Sequence, residues 1–145
     1  MKALIDTNVA LRFIDQRHPL FVHVHGALRG LLTARVELFV TQQVLVECWA
    51  TCTRPLAANG LGLDAASALE CVRTVRNAFS LLSDGPNVVA VWLDLCVNCD
   101  VKGRQAFDAR LAASALAGGI ETLVTLHVAD FERFHGLHIL DPRAR

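Results

Sequence analysis

Four carboxylates are notable for position as well as type: Asp6, Glu47, Asp108 and Asp130. Asp6 closes the apolar run Lys2-Ala3-Leu4-Ile5 and Asp130 follows the run Leu123-Val124-Thr125, so each falls after an expected strand, at the end where α/β proteins bind ligands. Asp108 lies near the start of an expected helix, and Glu47 on the helix that follows the second strand. If a parallel sheet reverses its order near the first strand, these places converge in one crevice. Carboxylates gathered there repel one another, and a hard divalent cation among them relieves the repulsion. Oxygen donors without a thiolate or imidazole cage point to Mg²⁺ or Mn²⁺. A cation so held suits hydrolytic phosphoryl chemistry, because it lowers the pKa of a water, polarises a phosphodiester and stabilises the leaving oxygen; in-line cleavage of RNA or DNA is the reaction class implied. Taken singly, each acid also has a plainer reading. Asp6-Thr7-Asn8 is a run of helix-capping residue types, Asp108 is a surface acid in a first helical turn, and Asp130 is a cap for Phe131 to Phe134.

The elements that must position these groups alternate strand with helix. Residues 2 to 6 read as a buried strand, and Val9, Ala10, Phe13 and Ile14 as the inward stripe of a helix ended by His18-Pro19. A second helix is expected from about Leu20 to Thr33, with His23 and His25 as solvated or lid residues that lack the i,i+4 spacing of paired metal ligands. Glu37 to Val40 is a strand, and Thr41 caps the helix carrying Val44, Leu45, Cys48, Trp49 and Cys52. Glu47 sits roughly 130° from the centre of that stripe, a position that permits facing solvent as readily as leaning over a site. Ala57 to Gly62 reads as a flexible connection, and Asp64 caps the next helix. Phe79 to Ser83 is a strand candidate, followed by a helix from about Asn87 to Cys99. Phe107, Leu111, Ser114, Ala115 and Gly118 form a face of mainly small residues suited to pressing against a sheet, and Gly118-Gly119 stops that helix. His138-Ile139-Leu140 is a last short strand. The pattern predicts an α/β fold of three layers, α/β/α, with a central, mainly parallel sheet in a single domain over residues 1–145.

Composition narrows the function classes. A 145-residue chain that is 53% hydrophobic and 19% charged can bury a core and is neither disordered nor fibrous. Its formal net charge is zero, so any contact with a polyanion must come from a local patch. Arginine supplies 12 of the 14 basic residues, a fork suited to phosphate and carboxylate. Asp6 interrupts the first apolar run too early for a signal peptide, and no uncharged stretch approaches the ~20 residues that span a bilayer, so a cytoplasmic protein without a membrane segment is expected. Five cysteines without an export signal predict reduced, mostly buried thiols, and the Cys96-x-x-Cys99 pair falls on a helical apolar pattern that favours core packing over zinc.

Several stretches together resemble the PIN domain, and more narrowly the VapC-type toxin ribonucleases of toxin–antitoxin pairs: Leu4-Ile5-Asp6-Thr7-Asn8, the Glu47 helix, Gly103-x-x-x-Phe107-Asp108-Ala109-Arg110-Leu111-Ala112-Ala113, and Leu123-Val124-Thr125-x-x-x-x-Asp130-Phe131. The resemblance covers essentially the whole chain. It implies Mg²⁺- or Mn²⁺-dependent endoribonuclease activity, dimerisation, and a cognate antitoxin whose tail enters the acidic groove. Residue by residue it implies that Asp6 and Asp108 are the principal metal ligands, Glu47 the second acid and Asp130 the aspartate of a closing Asp-Phe pair, with Asn8 and Thr125 helping to hold the metal and its water. One residue more than usual separates Thr125 from Asp130, and His127 stands nearest the family's Asn/Asp place, which leaves open whether Asp130 or His127 completes the site. Two other classes remain. A haloacid-dehalogenase-like phosphatase would need an acid two residues after Asp6, where Asn8 stands, and a non-catalytic α/β interaction module would use all four acids as caps.

Overall fold

Burial decides how far the first strand runs. β1 (Lys2–Ile5) buries its last three residues completely, and each neighbour along it is apolar, as suits a strand covered on both faces. The computed structural model, which describes residues 1–144, places β1 at the centre of a five-stranded sheet. β2 (Glu37–Thr41) pairs with one edge of β1 and β4 (Thr122–Val124) with the other, so that Leu4 lies between Phe39 and Leu123. β3 (Ser80–Leu82) and β5 (His138–Leu140) extend the sheet outward, giving the order β3-β2-β1-β4-β5 with every pairing parallel. The chain therefore builds outward from β1 on one side and then returns to build on the other. The gap between β1 and β4 is the switch point at which such sheets open a crevice.

Parallel neighbours require crossover helices, and right-handed crossovers on opposite sides of a starting strand put them on opposite faces. α1 (Thr7–Ile14), α2 (Phe21–Thr33), α3 (Gln42–Thr53) and α4 (Ala65–Ala78) form one packed group. The other is formed by α5 (Val88–Asn98), α6 (Gln105–Ala117) and the single turn α7 (Val128–Phe131). The result is the expected α/β fold. Val9, Val44, Val75, Phe131 and Phe134 close the core from the helical side, each contributing roughly 1.5–3 kcal/mol through burial.

Three local expectations are corrected. The strand stops at Ile5, and Asp6 is the cap of α1, though its backbone N–H still donates to Val124 O at 3.0 Å and so continues the ladder by one rung. His25 is not a solvated or lid residue: it stacks on Phe13 with centroids 4.6 Å apart and donates from Nε2 to Phe13 O. The segment from Ala57 to Gly62 folds back on the end of α3 through a short 3-10 turn, Leu56–Ala58. Leu61 N–H donates to Thr51 O, Leu63 N–H to Cys52 O and Gly62 N–H to Arg54 O. Gly60 is buried there because a Cβ would stand 1.9 Å from Arg54 O. All five cysteines are free thiols; Cys48 and Cys52 are buried, while Cys96 and Cys99 pack half-buried against the core.

Candidate active site

Asp6 is held by the chain turn that creates it. Extended backbone at Asp6, the N-cap residue of α1, lets the side chain fold over the start of the helix, so that Oδ1 accepts from the first helical amide, Thr7 N–H, at 2.7 Å. Oδ2 accepts from Asn8 Nδ2 and from Thr125 Oγ1, both at 2.7 Å. Asn8 reaches the other way with its Oδ1, which accepts from Leu126 N–H at 3.0 Å. It is therefore an amide strut between the starts of α1 and the β4–α7 loop, and it has no proton to lend as the acid of a phosphatase. Burial pushes the Asp6 carboxyl up, against the opposing pull of the Thr125 and Thr7 hydrogen bonds.

Glu47 reaches the same crevice from α3. Thr7 Oγ1 donates to its Oε2 at 2.7 Å, and Gln43 Nε2, one turn earlier, donates to its Oε1 at 2.7 Å. Thr7 thus serves both acids, Asp6 through its N–H and Glu47 through its hydroxyl. Of the two orientations left open by periodicity, Glu47 adopts the one over the site.

Asp108 enters from the first turn of α6. Burial pushes its carboxyl up to about 6, and the next causes are the negative charges of Asp6, Asp130 and Glu47. The three other acids therefore all bear on Asp108 across the switch-point crevice. Asp130 is inside α7 rather than a cap for Phe131 to Phe134, and its carboxylate is 59% exposed, at the rim. His127 Nδ1 lies 3.9 Å from Asp130 Oδ2, a long ion pair when the ring is protonated, and its backbone N–H donates to Thr125 Oγ1. Both residues face the opening, Asp130 toward Asp108 and His127 toward the side of Asp6.

Among the described residues, no three His, Cys, Asp or Glu side chains close into a ready-made cage for an ion. The donor chemistry nevertheless fits a hard divalent cation: oxygen only, net negative, mutually repulsive, with unused lone pairs on Asp6 and Asp108. An ion of the Mg²⁺ type takes one or two carboxylates and keeps several waters, so a closed cage is not required.

A second layer orients this set. Arg110, two residues after Asp108, donates from Nη1 to Gln43 Oε1 at 2.8 Å and from Nη2 to Asp84 Oδ2 at 2.6 Å. Ser114, buried on the same helix, donates to the other oxygen of Asp84 at 2.8 Å. Sequence reasoning passed over Gln43, Arg110 and Asp84. The i,i+4 spacing of Gln43 and Glu47 was the available signal, whereas Asp84 reads only as a turn residue after β3. Phe107 also departs from expectation, since it is 60% exposed and turned away from the sheet that Leu111, Ser114 and Ala115 press against.

Residues 3–134 match the family model of the PIN domain. Ribonuclease VapC24 of Mycobacterium tuberculosis (strain CDC 1551 / Oshkosh) is 29% identical over 147 residues, spanning 95% of this chain and 94% of that protein. The fold is also that of VapBC2 from Rickettsia felis bound to a DNA fragment from their promoter: TM-score 0.76, 16% identity, 97% of this chain and 98% of that one. DNA-bound VapBC from Salmonella typhimurium gives a TM-score of 0.74 at 18% identity, covering 98% of each chain. At such identities the structural likeness speaks for the fold, and the chemistry must rest on the site.

Proposed function

The chain belongs to the PIN domain family, and on that footing we propose that it is a Mg²⁺- or Mn²⁺-dependent endoribonuclease, the toxin of a type II toxin–antitoxin pair. The observation that carries this reading is that four acids remote in sequence line one crevice: Glu47 and Asp108 face one cavity with Asp130 and the adjoining cavity with Asp6. The similarity to a protein named as a ribonuclease and to VapBC complexes supports the substrate and the partner. The active protein would be a cytoplasmic homodimer, silenced by an antitoxin tail in the acidic groove. No described helix is long and apolar enough to cross a membrane.

In this mechanism Asp6 and Asp108 would hold the cation, Glu47 and Asp130 would support it as further acids of the crevice, and Asn8 and Thr125 would support it through their hydrogen bonds to Asp6. When bound, a divalent cation supplies the charge that draws in the scissile phosphate and makes a water acidic enough to attack at neutral pH. Thr7 and Gln43 each donate to one oxygen of Glu47 and so fix its carboxylate at the crevice, where it would take the proton released by an attacking water. Thr125 and Asn8 keep Asp6 in one rotamer, so that no reorganisation precedes attack.

The test is cleavage of RNA in Mg²⁺ or Mn²⁺ with and without EDTA, paired with Mn²⁺ titration calorimetry. Cleavage that stops in EDTA, together with a binding heat that Asp6→Ala abolishes, is the expected result. An intact wild-type fold that neither binds Mn²⁺ nor cuts RNA would leave only an interaction module.

A further inference from the structure

Phe107 is the most exposed of the Phe and Trp rings among the described residues, on a helix whose other large apolar side chain near it, Leu111, is buried. An exposed ring is unremarkable when its backbone is mobile, but this one is pinned from two sides. Its own carbonyl accepts from Gln43 Nε2 at 3.0 Å, and the carbonyl of the preceding Ala106 accepts from Trp92 Nε1 at 3.0 Å. The backbone beneath the ring is thus fixed, and the ring stands as an exposed apolar plate beside Asp108.

The plate forms part of the wall of a cavity of about 650 Å³ that also includes Arg54, Arg104, Glu47, Asp108 and Asp130. A second cavity of about 520 Å³ shares Arg104, Glu47 and Asp108 with it and continues past Asp6 to Arg12, His127 and Arg143. The acids therefore lie between two stretches of one channel, each carrying guanidinium groups. Among the described residues neither Arg54 nor Arg104 is tied up in an ion pair. A single-stranded polynucleotide needs this combination: cations along the backbone and an aromatic face on which an unstacked base can lie.

We infer that Phe107, with Arg54 and Arg104, forms a subsite that stacks the base of the RNA nucleotide next to the cleaved bond and holds its phosphate. The inference rests on the ribonuclease reading above and deepens it. Stacking is tolerant of base identity, so Phe107 governs affinity and register at that nucleotide more than choice among the four bases.

The experiment uses the full-length protein and a short oligoribonucleotide whose cut site has been mapped, alongside the same oligonucleotide made abasic on either side of the cut. Phe107→Leu is expected to raise KM by roughly 5- to 150-fold with kcat little changed, and Phe107→Tyr to restore it. Mn²⁺ binding and the melting temperature stay at wild-type values in both variants. On the abasic substrate at the stacked position the wild type falls to the level of Phe107→Leu, and Phe107→Leu loses nothing further. A wild-type KM in Phe107→Leu, or an equal loss on normal and abasic RNA, overturns the subsite while leaving the ribonuclease intact. If Phe107→Leu cuts normally but no longer binds its antitoxin, the plate is a protein-docking anchor and the inference fails. Absence of any RNA cleavage by the wild type with Mg²⁺ or Mn²⁺ overturns the ribonuclease reading and the subsite together.

Discussion

Arg110 orients Gln43: its Nη1 donates to the amide oxygen at 2.8 Å, which turns the amide nitrogen toward Glu47 Oε1 at 2.7 Å. An amide left free rotates and presents either end to the acid; here the guanidinium decides which. Arg110→Ala should therefore lower kcat by about tenfold with little change in KM, since the acid is still present but no longer held. Arg110→Lys should not restore it, because an ammonium cannot bridge Gln43 and Asp84 with a planar fork. The check is a cycle with Gln43→Ala: strongly sub-additive losses are expected, and simple additivity would remove the link between the two residues.

Asp108→Asn should abolish cleavage and leave the fold intact. Without a cation it should also stabilise the chain in a pH-dependent way. The folded carboxyl titrates at about 6 against an ordinary value of 3.8, so through this interval the folded state holds more protons than the unfolded one and stability falls as pH rises. Melting in EDTA should show no gain from Asp108→Asn at about pH 4 and a clear gain above about pH 6. Added Mn²⁺ should then raise the wild-type midpoint and not that of the variant. A variant no more stable than the wild type at neutral pH would mean that Asp108 is neither penalised by burial nor crowded by the other acids.

Asp130 is mostly exposed where Asp6 is 7% exposed, so its field at the crevice is screened by water. Asp130→Asn is expected to slow cleavage by about tenfold, far short of the loss in Asp108→Asn, and to lose less at high ionic strength than at low, because salt screens what the carboxylate contributes. His127→Ala should leave Mn²⁺ affinity near wild type and raise KM for RNA. The opposite pattern, with Mn²⁺ affinity lost in His127→Ala and kept in Asp130→Asn, would exchange the two roles.

Gly60→Ala forces a Cβ to within 1.9 Å of Arg54 O, and the two nearest atoms, O and C of Arg54, are backbone that cannot step aside. A loss of about 1–3 kcal/mol is expected on denaturant unfolding. The strain falls on Arg54, so KM for RNA should rise as well. Unchanged stability would show that the turn after α3 relaxes freely.

What was legible in the chain follows from which signals are local. The run Leu4-Ile5 followed by Asp6-Thr7-Asn8 announces a buried strand turning into a helix, and both the strand and the cap are there. Repetition of strand and helix, with short apolar strands throughout, is enough for a parallel sheet. Glu47 was not decidable because the stripe of α3 records only what faces the sheet, whereas the site is made by Thr7 of another helix reaching across to it. His25 was misread for the same reason: its partner Phe13 lies on the helix before. Residues 57 to 62 carry the Asn-Gly chemistry of a loop, and it is their backbone bonds to Thr51 and Arg54 that hold them, which composition does not encode.

The two aspartates proposed to hold the cation are anchored to the architecture by different amounts. The side chain of Asp6 is also the cap of α1, whereas Asp108 supports nothing around it and is only a liability to the empty fold. A descendant released from cutting RNA would therefore lose the two at different rates: position 108 would drift freely, while position 6 would stay restricted to Asp, Asn, Ser or Thr. Degenerate copies retaining a capping residue at 6 and almost anything at 108 would be the fossil trace of that asymmetry.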